Sequence, residues 1–326
     1  MLSESTKKPE SLRLMRRRIA ADLPITGSSL ALFRLGEQCN NKCPMCSNSG
    51  RPEAFFQPTP ELLRRADFLH SVGIRNVIVT GGEPTIHPGF WPVIERLQHH
   101  GIQWDINTHG RSFSSIEFTE RCAQAGLGRA IVSLHSHIEG DSCLISGMNA
   151  RGHAEVLGGI DQLRATTVAV TVNCVLTELM IGNLASYIEF CLARWGVGYT
   201  VKLVFPSTAG KGGDWQHIQL RLRDFEQDLQ QAVEIAEFRS LKLAFESFPS
   251  CIVGDAGIDN MGRGGFGETH YLDDITGDRL YPIRHIEAQF NVFPEICRGC
   301  AAVERCSGVA ETYLRRYGVG ELRPFR

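Results

Sequence analysis

The chain has 326 residues, 43% of them hydrophobic, which is enough for a large buried core in one or two domains. Its 34 Lys and Arg residues nearly balance 36 Asp and Glu residues, so we expect neither nucleic acid nor an anionic membrane as a partner. The sequence contains no apolar run of about 20 residues and no secretion signal, and we expect a cytoplasmic protein. The first 28 residues form a basic extension, whose simplest interpretation is a solvated helix face. Its cations are Lys7, Lys8, Arg13, Arg16, Arg17 and Arg18.

Strand-like and helix-like segments alternate between residues 29 and 207. Apolar runs rich in Val and Ile predict six strands, at 29–36, 75–82, 102–110, 129–136, 167–176 and 199–206. Amphipathic segments between them predict helices, and strands joined by helical crossovers pair in parallel. The fold class is therefore α/β, with a partial (β/α)6 barrel at 29–207 whose ligands bind at the carboxyl ends of the strands. From residue 208 to 326 the alternation stops, which predicts a smaller C-terminal module.

Eleven cysteines in a chain without a secretion signal argue against a disulfide framework and favour metal binding. Cys39, Cys43 and Cys46 lie on one short loop after the first strand, so their thiolates can converge on one iron-sulfur cluster. Three thiolates leave one iron of a [4Fe-4S] cubane open to bind another molecule. A zinc site is the alternative, but zinc usually takes four ligands, and no fourth follows at a finger-like spacing.

This spacing, with Met45 before the last Cys, resembles the signature of the radical S-adenosylmethionine (SAM) superfamily. Three further segments match it at successive strand ends: GGEP (81–84), THG (108–110) and VSLH (132–135). GGEP taken alone would more simply be a turn. The resemblance, with the position of residues 173 and 175 on the fifth strand, implies SAM contacts from Met45, Gly81, Gly82, Glu83, Pro84, Thr108, Ser133, Asn173 and Val175.

Two positions depart from the family pattern. His109 stands where relatives usually carry Asn, and His135 stands where many carry Asp. Both lie at predicted strand mouths, so each is a candidate catalytic residue for substrate contact or proton transfer, with a capping role as the simpler alternative. Cys143, in a predicted loop after the fourth strand, is a third candidate, because a thiol there could return a hydrogen atom to a substrate radical.

A second group of cysteines contains Cys297, Cys300 and Cys306, with Cys251 upstream. Its spacing resembles the core of the SPASM and twitch modules that hold auxiliary clusters in many radical SAM enzymes. The resemblance implies a second [4Fe-4S] cluster, with Cys251 as its fourth ligand. A structural zinc held by the same four thiolates is the alternative.

The resemblance implies an enzyme that cleaves SAM reductively to a 5′-deoxyadenosyl radical, which then abstracts hydrogen from a substrate. It implies a reducing partner such as flavodoxin or ferredoxin. The substrate is either a ribosomal peptide, as for a maturase, or a small biosynthetic molecule, and the 28 residues before the first strand are too few for a leader-binding domain. The competing function is a non-enzymatic iron-sulfur electron carrier or scaffold, which would not need GGEP.

Overall fold

A nine-stranded sheet organises the structure, a computed structural model that describes residues 14–15, 24–46, 55–206, 211–258, 268–304 and 306–326. Its strands are β2 (Leu30–Arg34), β3 (Asn76–Thr80), β4 (Gln103–Thr108), β5 (Leu127–Ser133), β6 (Ala169–Val175), β7 (Thr200–Val204), β8 (Lys242–Glu246), β9 (Thr269–Leu272) and β10 (Leu280–Pro282). In the sheet they follow the order β10-β9-β2-β3-β4-β5-β6-β7-β8. All neighbours from β9 to β8 pair in parallel, and only β10 is antiparallel.

Helices connect the parallel strands, except for the last two helices, which follow the antiparallel strand β10. They are α1 (Thr59–Ser71), α2 (Phe90–His99), α3 (Ile116–Gln124), α4 (Glu139–Ser146), α5 (Ala150–Arg164), α6 (Leu184–Trp195), α7 (Glu226–Phe238), α8 (Ser250–Ile258), α9 (Ile283–Phe290) and α10 (Glu311–Tyr317). Local sequence sets their starts: the side chains of Ser115 and Asn149 cap α3 and α5 by accepting from the backbone N–H groups of Phe118 and Gly152. Within the ranges described, no helix is both long and apolar enough to cross a bilayer.

The two faces of the sheet differ in chemistry because side chains alternate along each strand. One face is apolar and belongs to the main core, as for Phe33, Val79 and Ile106. Trp104 is on that face, and its indole N–H donates to the carbonyl of Ala125 after α3, so this face meets the helices. The opposite face is the barrel interior, and it carries polar residues such as Ser133, Asn173 and Lys202. These polar groups can form hydrogen bonds with a ligand.

The structure confirms the predicted α/β class and partial barrel, with the six predicted strands at β2 to β7. Residues beyond 207 also contribute to this sheet, since β8 continues it next to β7 and β9 lies beside β2. The division at residue 208 therefore stays a prediction. The six basic residues named in the N-terminal extension lie outside the described residues.

A second, three-stranded sheet joins the two ends of the chain. It contains β1 (Leu14–Met15), β11 (Asn291–Pro294) and β12 (Val309–Ala310) in the order β1-β11-β12, all antiparallel. β11 and β12 flank the loop that carries Cys297, Cys300 and Cys306. This sheet thus fixes both ends of the second cysteine loop.

Candidate active site

The first cysteine loop leaves β2 through a close contact between two backbones. The amide of Gly82 donates to the carbonyl of Gly36 at 2.9 Å, and the amide of Glu83 donates to that of Gln38 at 2.8 Å. A Cβ on Gly82 would lie 2.2 Å from the Gln38 carbonyl oxygen and 2.3 Å from that of Glu37. Only glycine permits this approach. The end of β3 therefore positions the chain immediately before Cys39.

The same loop is supported from α4. Gly147, in a left-handed conformation with φ of 56°, ends α4, and a Cβ there would lie 2.1 Å from the carbonyl oxygen of Lys42. The thiol of Cys43 donates to the carbonyl of Ser146 at 3.4 Å. The prediction of a loop around Cys143 was wrong, because residues 139–146 form a helix whose end contacts the cysteine loop.

The three thiols of the loop are half-buried and influence one another. Burial, with smaller contributions from the charges of Glu83 and Cys46, raises the pKa of Cys39 to about 11, although the Asn41 amide opposes this rise. Burial, followed by the neighbouring thiols Cys46 and Cys39, raises the pKa of Cys43 to about 12. Cys39 and Cys43 therefore stay protonated near pH 7 unless a metal displaces their protons. In the parts of the chain that are described, no three Cys, His, Asp or Glu side chains converge closely enough to hold one metal ion.

Glu83 is buried and organises the edge where β3 and β4 end. Its Oε1 accepts from the hydroxyl of Thr85 at 2.6 Å and the hydroxyl of Thr108 at 2.8 Å, and also from the Thr85 amide. Its Oε2 accepts from the amide of His109 at 2.8 Å. Each carboxylate oxygen has about two acceptor positions, so Oε1, with three donors, is saturated, whereas Oε2, with one, keeps a position open. Any ammonium group that binds Glu83 must therefore approach Oε2.

His109 and Arg111 reach from the end of β4 to the cysteine loop. The Nε2 of His109 lies 2.6 Å from Asn40 Oδ1, and the Arg111 guanidinium donates to Asn41 Oδ1 at 3.0 Å. Arg111 is held by an ion pair of 2.8 Å with Glu155 on α5. Burial lowers the pKa of His109, so the ring is neutral near pH 7. The structure brings predicted residue His109 to the cluster loop, although not as a group facing an open space.

His135 closes the end of β5 in a fully buried position. Its Nδ1 accepts from the amide of Val175 at 3.1 Å, and burial lowers its pKa to about 4. The thiol of Cys174 donates to its carbonyl oxygen at 3.6 Å. The His135 imidazole is therefore neutral throughout the physiological pH range, and its hydrogen bond connects the end of β5 to β6. These contacts are structural, and a catalytic role for His135 stays a prediction.

The interior ends of β5 and β6 carry the predicted contacts Ser133 and Asn173, which pair in register. Asn173 is 8% exposed, and its Oδ1 is buried without a hydrogen-bond partner among the described residues. An unpaired buried acceptor is costly and marks a place where a ligand donor fits. SAM carries such donors in its ammonium and adenine amino groups, so this observation fits the implied cofactor.

The other predicted site residues lie on the cysteine loop, at the strand ends or on α4. Met45 is half-buried on the cysteine loop, and Pro84 begins a short 3-10 turn after Glu83. The hydroxyl of Thr108 donates to Glu83 and accepts from the Gly110 amide, so it is already satisfied. Burial raises the pKa of Cys143 on α4. The assigned roles of these residues stay predictions.

The four cysteines of the second group line one cavity of about 350 Å³, counted to its open mouth. Burial, with the neighbouring thiols Cys251, Cys306 and Cys300, raises the pKa of Cys297 to about 11. Burial likewise raises the pKa of Cys251, while a backbone hydrogen bond from Arg323 lowers it. The structure therefore brings Cys251 to the other three, although it is distant from them in sequence.

Three charged groups near the site were missed by the sequence reasoning. Arg111 follows the THG segment without a motif of its own, and Glu155 is an unremarkable position on a helix. Lys202 on β7 forms a 2.6 Å ion pair with Glu246 on β8, on the interior face. Strand alternation could have placed Lys202 inside the barrel, since its neighbours Val201 and Leu203 are apolar.

A parallel α/β barrel whose first strand leads into a loop with three cysteines suits an iron-sulfur enzyme that works at the carboxyl edge of its sheet. The sequence model described as the Radical SAM superfamily matches residues 33–178, which contain the end of β2, the cysteine loop, the GGEP segment and β3 to β6. This segment, 146 of the 326 residues, is therefore similar to the radical SAM superfamily.

Comparison with individual proteins gives two kinds of relatives. A probable GTP 3′,8-cyclase from Thermococcus kodakarensis is 29% identical over 220 residues, covering 66% of this chain and 69% of the relative. One from Pyrococcus horikoshii is 29% identical over 156 residues, and the match spans about half of each chain, 48% in both cases. The crystal structure of Streptococcus suis SuiB bound to precursor peptide SuiA superposes with a TM-score of 0.55 at 15% identity, covering 67% of this chain and 48% of SuiB. At that identity the superposition shows a shared fold alone.

Proposed function

We propose that this chain cleaves SAM reductively and uses the resulting radical on a small-molecule substrate. The observation that carries the proposal is the cysteine loop with three thiols, held against the backbone of 81–83 and against the end of α4. When bound, the [4Fe-4S] cluster supplies the electron that breaks SAM into methionine and a 5′-deoxyadenosyl radical, which abstracts hydrogen from the substrate.

The chain's own residues have separate tasks in this proposal. Cys39, Cys43 and Cys46 hold the cluster and leave one iron open. Glu83, through Oε2, and the backbone of Gly81 and Gly82 bind the ammonium end of SAM. Asn173 Oδ1 accepts from a SAM donor deeper in the barrel, which removes the unpaired acceptor observed there. The core behind the strands and the helices around them exclude water from the reacting carbon.

A small-molecule substrate is supported by the sequence relatives, which are named for a reaction of GTP. A nucleoside triphosphate would need several free cations, whereas three interior cations are already paired: Arg129 with Asp105 at 2.8 Å, Lys202 with Glu246 at 2.6 Å and Arg34 with Asp274 at 3.1 Å. We therefore propose a substrate with less negative charge than GTP. The ribosomal-peptide alternative has support only from a fold neighbour.

The test of the main proposal is formation of 5′-deoxyadenosine from SAM and dithionite by the anaerobically reconstituted chain. Cys43→Ala removes one cluster thiol, whereas Cys122→Ala changes a buried cysteine of the apolar core and serves as the matched control. We expect product from the wild type and from Cys122→Ala but none from Cys43→Ala. If the wild type forms no more 5′-deoxyadenosine than Cys43→Ala does, the result would instead support an electron carrier or scaffold. Adding GTP tests the substrate: formation of a new nucleotide product would contradict the charge argument.

We further propose that Cys251, Cys297, Cys300 and Cys306 hold a second [4Fe-4S] cluster in a SPASM- or twitch-like module, and that a flavodoxin or ferredoxin supplies electrons. The shared cavity supports this, as does the raised pKa of Cys297, to which burial and the neighbouring thiols contribute. Two such clusters contain about eight irons per chain, and we expect Cys300→Ala to retain about four. Zinc in the purified protein with four irons would favour the structural zinc.

A further inference from the structure

The turn between the first two cluster thiols is held by two side chains from a different strand. Asn40 and Asn41 lie between Cys39 and Cys43, and their side-chain oxygens are the acceptors for His109 and Arg111. Arg111 also reaches the Asn40 carbonyl at 3.4 Å. The sequence of this turn has no glycine or proline to fix its conformation. Its shape therefore depends on contacts from the end of β4.

The proton on His109 is placed by its neighbours. The amide of Arg111 can only donate, and it reaches His109 Nδ1 at 3.1 Å, so Nδ1 is an acceptor. A single proton on the neutral ring then lies on Nε2, which donates to Asn40 Oδ1. Nδ1 lies farther from Glu83 Oε2, at 3.4 Å, and a proton there would face the Arg111 amide. Glu83 in turn accepts from the His109 amide, so the strand end and the cysteine loop form one network.

The network ends at a cluster thiol. The amide of Asn41 donates to Cys39 Sγ at 3.4 Å, and the side chain of the same residue accepts from Arg111. The Arg111 guanidinium also places its positive charge beside this turn, through its 3.0 Å hydrogen bond to Asn41 Oδ1. Hydrogen bonds and positive charge at the sulfurs stabilise the more negative, reduced cluster and so raise its reduction potential.

We propose that His109 and Arg111 are positioning residues that set the reduction potential of the SAM-binding cluster by fixing the Asn40–Asn41 turn. The inference rests on the proposed function, because it requires a cluster on Cys39, Cys43 and Cys46. It also explains why His stands at position 109: an Asn side chain would reach the Nδ1 position but would be too short to donate to Asn40. Arg111 contributes charge and a hydrogen bond, and His109 contributes only the hydrogen bond.

A redox titration followed by electron paramagnetic resonance separates these contributions in the full chain. The signal that changes when SAM is added belongs to the cluster with the open iron. We expect His109→Asn to make reduction of that cluster about tenfold less favourable, which is 59 mV for one electron. His109→Gln restores a donor at the Nε2 position and should stay close to the wild type. Arg111→Met should shift the potential further than His109→Asn, because it also removes the charge.

The outcomes distinguish this inference from the function on which it rests. A wild type with no SAM-sensitive signal overturns the proposed function. If the wild type shows that signal and His109→Asn has the same reduction potential as the wild type, only the positioning role is overturned. If His109→Asn loses iron while His109→Gln keeps it, the role is supported, because the turn then needs the Nε2 donor for the cluster to form. Loss of iron from both variants overturns it in favour of a general packing role.

Discussion

The contact between Gly82 and the chain before Cys39 makes a substitution there a direct test of how the site is built. In Gly82→Ala the new Cβ would lie 2.2 Å from a carbonyl oxygen, against 3.4 Å for ordinary contact, a shortfall of 1.2 Å (3.4 minus 2.2). Its neighbours are backbone atoms of Glu37 and Gln38, so no flexible side chain can move aside. Either β3 or the cysteine loop must shift by roughly 1 Å.

Such a shift has two measurable costs. Overpacking of this kind destabilises a protein by about 1 to 3 kcal/mol, which lowers the midpoint of thermal unfolding. A displacement of about 1 Å at the reacting groups costs about 10²-fold in rate, so we expect SAM cleavage by Gly82→Ala to fall by that factor even in the folded protein. The assay is 5′-deoxyadenosine formation per iron bound, so that loss of cluster is counted separately.

The matched control is Gly140→Ala, at a position on α4 where a Cβ meets nothing within 4 Å. We expect its rate and unfolding midpoint to equal those of the wild type or to exceed them slightly, because Ala favours a helix. If Gly82→Ala cleaves SAM at the rate of Gly140→Ala, the backbone contact does not position the cysteine loop and the reasoning is wrong.

Three other perturbations have defined outcomes. Gly147→Ala, at a left-handed residue against the Lys42 carbonyl, should lower both the iron content after reconstitution and the midpoint of thermal unfolding. Burial lowers the pKa of His135 from an ordinary 6.5 to about 4, so between these pH values the unfolded chain binds the proton and the folded chain does not. The free energy of unfolding should therefore decrease as the pH is lowered, by about 2 kcal/mol from pH 7 to pH 5. Urea unfolding should show that His135→Asn lacks this part of the pH dependence; an unchanged dependence would contradict the assignment. Arg65→Leu removes a buried donor to Glu61 and to the Asp274 carbonyl, and should lower the free energy of unfolding by about 2 kcal/mol in the same assay. Its control is Arg64→Leu, which removes an exposed partner of Glu61 and should lower it by about 0.5 kcal/mol.

The sequence was most informative where chemistry and local spacing coincide. The cysteine loop follows a strand, and GGEP ends the neighbouring strand, so parallel pairing alone brings the two together. Apolar runs rich in Val and Ile likewise predicted β2 to β7. These features depend on residues that are close in sequence or on neighbouring strands, for which simple rules of pairing hold.

The contacts that were missed depend on side chains whose partners are distant in sequence. α4 was predicted as a loop because its short sequence, EGDSCLIS, has little amphipathic pattern, and its end is defined by the fit of Gly147 against Lys42. Arg111 gains its importance from Asn41 and Glu155, which lie 70 and 44 residues away. Such contacts are a product of the folded barrel, and one sequence carries no local signal for them.

The pairing of β1 with β11 has a consequence for how the molecule is made. Met15 is opposite Phe293, so this small sheet closes a loop containing most of the chain, and it can form only after nearly all of the protein has left the ribosome. A recombinant fragment that starts at residue 29 would leave one edge of β11 without its strand, and exposed edges recruit other chains. We therefore expect insoluble aggregates from such a fragment, with the pocket of the last four thiols disturbed although the barrel itself is whole.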